Sequence, residues 1–149
     1  MVQKSIAAYE LPERVASYDA DMEIMHPNRA KMVQVALEVL PFSLEKPLRA
    51  LDLGVGTGYF AEKFLHRYAN AHLCAIDGAA AMIDLSTARL GSLRERVRFL
   101  VGDFRNLSRL LAEGDFFDVV FSSYALHHLG RDDKQAVVRQ AWDRLRTGG

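Results

Sequence analysis

Apolar residues fall into two rhythms along this chain, and the change comes near residue 48. Before it, Val33, Ala36, Leu37 and Leu40 recur at three- and four-residue spacing, which predicts a helix running to about residue 40. The turn His26-Pro27-Asn28 precedes that helix, with Asn28 placed to cap it. Pro12 opens a shorter helix over about 13–21, residues 1–8 read as a loosely held terminus, and Pro41 and Pro47 bracket a loop. From Leu48 onward, short continuous apolar runs alternate with helical stretches. Strand 48–53 leads to helix 57–69, with Phe60, Phe64 and Tyr68 on one face. Strand 72–77 leads to helix 79–92, with Met82, Leu85, Arg89 and Leu93 on one side. Strand 97–101 leads to a loop and a short helix near 108–112. Strand 117–122 leads to helix 132–146, with Val137, Ala141 and Leu145 in line and Asp132 and Asp133 at its positive end. Apolar strands alternating with helices predict an α/β fold: a doubly wound parallel sheet with helices on both faces. Ligands of such sheets sit outside the carboxyl ends of the strands.

Composition narrows the classes. The chain has 149 residues, half of them hydrophobic and 26% charged, enough for one domain with a packed core. Lys and Arg number 19, as do Asp and Glu, so the formal net charge is zero and gives no electrostatic reason to expect nucleic acid or an anionic membrane. No run is long and apolar enough to span a bilayer, and no signal-peptide pattern is present. The single cysteine, Cys74, falls inside a predicted strand and reads as a buried, inert thiol. A chain without an internal disulfide fits a reducing compartment, so a cytoplasmic location is expected.

Candidate chemistry lies at the four strand ends. The first strand runs into Gly54-Val-Gly56-Thr57-Gly58, a turn that brings backbone close to a ligand or simply makes a tight strand–helix connection. The third glycine falls one place too early for a Gly-x-Gly-x-x-Gly dinucleotide fingerprint, which argues against a pyrophosphate cradle. The second strand ends in Asp77, whose carboxylate can accept both hydroxyls of a ribose or cap the next helix; Gly78 and Met82 follow it. The third ends in Gly102-Asp103-Phe104, a carboxylate able to accept from an exocyclic amine or to cap a loop. The fourth ends in Ser122 and Ser123, with His127 and His128 beyond. No third ligand with suitable spacing accompanies the histidines, so no metal is expected, and either imidazole is a weak candidate for a catalytic base.

In order along the chain, LDLGVGTGYF, AIDGAAAMI, VRFLVGDFRNL, FDVVFSSYALHHL and the terminal LRTGG resemble the motifs of the class I S-adenosylmethionine-dependent methyltransferases. Thr147 stands where that family commonly has proline. The resemblance implies a Rossmann-like sheet with strands in order 3-2-1-4 and a cofactor, S-adenosyl-L-methionine, that leaves as S-adenosyl-L-homocysteine. It further implies that Gly54, Gly56 and Thr57 line the amino-acid part of the cofactor, and that Asp77 binds the ribose with Gly78 and Met82 beside the adenine. Asp103 would face the adenine amine, Phe104 would border the ring, and Ser122 would sit near the methionine portion. Residues 1–47 would form a helical lid or substrate segment, with Tyr18 and Asp19 near the lid, and 48–149 the cofactor domain.

The family's sheet has seven strands, and only four are recognisable here. Strands 5–7 are absent, so the chain reads as truncated after the fourth, with the outer edge of strand 117–122 open. A homo-oligomer covering that edge is therefore expected. Three functions compete: a methyltransferase acting on a small-molecule acceptor, a non-catalytic cofactor-binding fragment or oligomerisation module, and a nicotinamide dinucleotide binder. Glycine spacing and Asp103-Phe104 disfavour the third.

Overall fold

The computed structural model of the protein describes residues 12–149. The expected loose terminus at residues 1–8 lies outside the described residues. Two helices come first, α1 (Pro12–Met25) and α2 (Arg29–Glu38). Then follow β1 (Arg49–Leu53), α3 (Tyr59–Arg67), β2 (His72–Asp77), α4 (Ala80–Leu90) and β3 (Val97–Val101). A short α5 (Leu107–Leu110), β4 (Val119–Phe121) and α6 (Arg131–Trp142) complete the order. The four strands form one parallel sheet in the order β3-β2-β1-β4, as the alternation and the resemblance predict.

Successive strand residues face opposite ways, which sorts the core into two clusters. Ala50, Leu73, Ala75 and Val119 pack on one face against Val33 and Leu37 of α2, Ala61, Phe64 and Leu65 of α3, and Ile83 of α4. Leu51, Leu53, Cys74 and Ile76 pack on the other against Leu107 of α5 and Val137 of α6. Phe64 and Tyr68 are fully buried, as their spacing with Phe60 predicts. Truncating Phe64 to Ala removes about 3–5 kcal/mol of packing by the usual cost of a core aromatic. Cys74 is buried, and burial raises its thiol pKa, in line with an inert role.

Several boundaries differ from the sequence reading, each for a local reason. Helix α1 reaches Met25 rather than residue 21, and His26 N–H still donates to Met22. Asn28 stands at the N-cap of α2, but its side chain makes no capping bond; its carbonyl instead accepts from Met32 N–H. Ala36 is exposed, so the buried stripe of α2 is Val33 and Leu37. Helix α3 starts at Tyr59, not 57, because Gly58 is left-handed at φ 80°. Helix α4 ends at Leu90 and continues as a 3-10 turn, Gly91–Arg96.

The last strand and helix are shorter than 117–122 and 132–146. Phe117 makes an isolated parallel bridge with Leu145, donating to Arg144 O and accepting from Arg146 N–H. The chain therefore leaves α6 at Trp142 and returns beside the start of β4. Asp118 meets β1 through backbone and side chain together: its N–H donates to Arg49 O at 2.7 Å, and its carboxylate accepts from Arg49 N–H at 2.7 Å and lies 3.3 Å from Arg146. The open edge expected along 117–122 is thus closed at Phe117, while among the described residues Val119–Phe121 pair on one side only, with β1.

Candidate functional site

The carboxyl ends of β1 to β4 open into one cleft, roofed by α1 and the start of α2. Gly54 and Gly56 follow β1 with φ of 84° and 55°, a left-handed region that glycine enters without strain. They differ in purpose. A Cβ on Gly54 would stand 2.3 Å from that of Ala125, so its absence lets the turn pack under the β4 loop. A Cβ on Gly56 would meet nothing within 4 Å and would point into open space. Gly56 therefore leaves its turn open toward the cleft, which it lines.

Asp77, at the end of β2, shapes that turn. Its Oδ2 accepts from Gly56 N–H at 2.8 Å and its Oδ1 from Ala79 N–H at 3.0 Å. The two uses left open in the sequence, ribose acceptor and cap, are compatible, because a carboxylate accepts about four hydrogen bonds. Met82, in the first turn of α4, is buried along the same wall. Asp103, at the end of β3, caps a 3-10 turn, Phe104–Asn106, and Arg105 beside it holds its carboxyl below the usual range. Asp103 and Phe104 both line the cleft.

The structure brings Gly54, Gly56, Thr57, Asp77, Met82, Asp103, Phe104 and His128 to the cleft wall. Three other candidates stand outside that lining. Gly78 follows Asp77 away from it. Ser122 Oγ donates to Leu53 O at 2.6 Å and ties β4 to β1, while its neighbour Ser123 takes the lining position. His127 is exposed and stacks against His128 with ring centres 3.9 Å apart. Burial, and then the neighbouring His127, push the pKa of His128 down. No group of three metal-ligating side chains occurs among the described residues.

Two charged residues in the cleft were not singled out in the sequence. Asp52 sits inside β1, 1% exposed, and neither carboxylate oxygen has a partner. Desolvation, and then Asp77, push its pKa well up. Its signal in the sequence was a charged residue inside the apolar run 51–53. Arg29 is the second, 8% exposed at the start of α2. Its guanidinium lies 4.0 Å over the Tyr59 ring and 3.1 Å from Asp19. Nothing local in the sequence marks Arg29 as buried, because its partner is on another helix.

Asp19 is a hub. It accepts from Arg29, from Thr57 Oγ1 at 2.9 Å and, in a short contact, from Arg89 of α4. Arg89 Nε also donates to Thr57 O at 2.9 Å. One carboxylate thereby ties α1 to the glycine turn, α2 and α4. Tyr18 and Met22 of α1, with Tyr59, Phe60 and Tyr124, complete the lining on the side away from Asp103. Tyr124 is the one non-glycine residue with positive φ among the described residues, at 54°, and its ring stacks on His26 at 4.5 Å.

A methyltransferase domain model matches residues 50–149. Among curated proteins, malonyl-[acyl-carrier protein] O-methyltransferase of Bacillus cytotoxicus is 31% identical over 125 residues, covering 83% of this chain and 40% of that protein. The protein of the same name from Bacillus anthracis is 27% identical, covering all of this chain and 52% of that one. The chain thus spans about half the length, or less, of these relatives. Among solved structures, a Haloferax volcanii methyltransferase in complex with the Trm112 methyltransferase activator superposes with a TM-score of 0.67 at 25% identity, over 87% of this chain and 52% of that one. A Geobacter sulfurreducens S-adenosylmethionine-dependent methyltransferase, solved with S-adenosyl-L-homocysteine, shares the fold with a TM-score of 0.65 at 22% identity, over 94% and 53%.

Proposed function

The chain belongs to the class I S-adenosylmethionine-dependent methyltransferase family, and from that premise we propose that its cleft binds S-adenosylmethionine and directs the methyl to a small-molecule acceptor. One observation carries this reading. Three carboxylates, Asp52, Asp77 and Asp103, stand at the carboxyl ends of three adjacent strands, around a glycine turn whose middle residue faces open space.

The donor set fits the cofactor part by part. Asp52, buried and unpartnered, suits the ammonium of the amino-acid end; a cation beside it restores its ionised form. Arg29 supplies a buried guanidinium for the carboxylate of the same end. Gly54, Gly56 and Thr57 carry that end on backbone, Asp77 accepts from the ribose, and Met82, Asp103 and Phe104 hold the adenine.

When bound, the cofactor supplies an electrophilic methyl carbon on a sulfonium. The protein's part is to orient the two reactants in line and to exclude water. Tyr18, Met22, Phe60 and Tyr124 form an aromatic and apolar wall for the acceptor. His128, in the lining and with its pKa pushed down by burial, takes the acceptor's proton where the nucleophile carries one. Relatives named for transfer to malonyl-[acyl-carrier protein] support an acceptor of small-molecule type. Among the described residues, no helix is long and apolar enough to cross a membrane.

Calorimetric titration of the chain with S-adenosylhomocysteine, with NAD as control, tests the reading. Binding of the first alone is expected. Binding of NAD alone would favour a dinucleotide site, and binding of neither would leave a module without a cofactor.

A further inference from the structure

Asp103 does not meet the cleft as a loose side chain. Its Oδ2 accepts from Nε of Arg105 at 2.8 Å and from a terminal guanidinium nitrogen as well, and its Oδ1 accepts from Arg105 N–H at 3.0 Å. The other end of the guanidinium is 3.6 Å from Asp133 of α6. The same helix braces the turn through Gln140, which donates to Arg105 O at 2.8 Å and accepts from Leu107 N–H at 3.0 Å. Arg105 itself does not line the cleft; Asp103 and Phe104 do.

We infer that Arg105 is a specificity-determining positioning residue: by clamping Asp103 it makes the base-recognising group a rigid, acceptor-only oxygen pair, so that a 6-aminopurine is accepted and a 6-oxopurine refused. The inference rests on the reading that Asp103 faces the exocyclic amine. Its chemistry is simple. A carboxylate free to rotate can accept from the amine of a 6-aminopurine or swing to the ring N1–H of a 6-oxopurine. Three hydrogen bonds from one residue remove the rotation. The adjacent guanidinium favours the ionised form, which has no hydrogen to donate. A 6-oxo group brought against it would set acceptor against acceptor, and the clamp keeps the carboxylate from swinging to the N1–H beside that oxygen. Lysine, a single point of charge, reproduces the charge but not the planar fork.

The test compares the binding of S-adenosylhomocysteine with that of S-inosylhomocysteine, its 6-oxo counterpart, by calorimetry on the 149-residue chain. The wild type is expected to prefer the adenine compound by about tenfold to a hundredfold, the worth of one hydrogen bond to a charged group. Arg105→Met keeps the aliphatic stem and is expected to lower that ratio by about fivefold or more. Arg105→Lys is expected to fall between the two, and carries the test if the Met variant fails to fold. A purely structural role would weaken both ligands alike and leave the ratio untouched; that result overturns the inference. A wild type that prefers neither base overturns the placement of Asp103, and the inference with it. A wild type that binds neither compound overturns the cofactor reading itself.

Discussion

Asp52 makes the native state depend on pH in a direction opposite to most carboxylates. Its pKa is raised in the folded chain by desolvation and by Asp77. Below about pH 4, the ordinary carboxylate range, folded and unfolded forms are both protonated and the residue costs little. As pH rises through that range, the unfolded chain releases its proton while the folded chain keeps it, so stability falls. Asp52→Asn removes the difference without changing shape. The variant is expected to be more stable than the wild type at pH 7–8, with the two converging near pH 4, in urea denaturation across that range. A gap that stays constant with pH would show that Asp52 is not the group responsible. Binding of S-adenosylhomocysteine should weaken by about 1.5–3 kcal/mol in the same variant, the worth of a charge-assisted hydrogen bond. Site residues were legible in the sequence where position alone marked them: Asp77 and Asp103 each end an apolar run. Asp52 was not, because it sits inside such a run and reads as one more strand residue. Arg29 was not, because only packing against Tyr59 and Asp19 buries it.

At the scale of elements, periodicity identified every strand and helix of the α/β alternation and its parallel direction, while the order of the strands came from the family resemblance. What escaped was governed by contacts between elements. Trp142 ends α6 because Leu145 must reach Phe117, a pairing across 28 residues that no local pattern encodes. The full length of helix α1 escaped in another way: its apolar pattern is weak, and it is held instead through Met22 and the Asp19 hub. That mode of attachment has a measurable consequence. Asp19→Ala would strand the nearly buried Arg29 without its carboxylate and release α1 from Thr57 and Arg89. Breaking a fully buried pair costs about 3–5 kcal/mol; with Asp19 one-third exposed, about 2 kcal/mol is expected from urea denaturation. Hydrogen exchange should report the loss as faster exchange across Pro12–Met25, with the β1 and β2 amides changing only by the global shift. Unchanged protection of α1 would mean that Met22 and its apolar neighbours hold the helix without the hub.

For the whole molecule, the outer side of β4 bears on how the chain behaves in solution. β4 pairs with β1 on one side, and on the other the described residues offer a single bridge, at Phe117. Three residues of strand edge are a small template, but the surface beside them is apolar. Val138 and Trp142 lie one turn apart on α6, 57% and 73% exposed, and Phe116 precedes the strand at 40%. Single exposed apolar residues are ordinary; Val138 and Trp142, one turn apart on the helix that leads into the Phe117 bridge, make a patch that a partner can cover. The formal net charge of zero sets no long-range repulsion against self-association. The occupant favoured by these features is a second copy, because a two-fold axis beside β4 would pair the two edges antiparallel. A dimer or larger assembly is therefore the expected outcome of size exclusion with light scattering, persisting at micromolar concentration. Trp142→Arg, which touches neither the cleft nor the sheet, should shift the population toward monomer while leaving S-adenosylhomocysteine binding in place. A wild-type monomer at every concentration would mean that the bridge at Phe117 and the short length of β4 are protection enough for the edge.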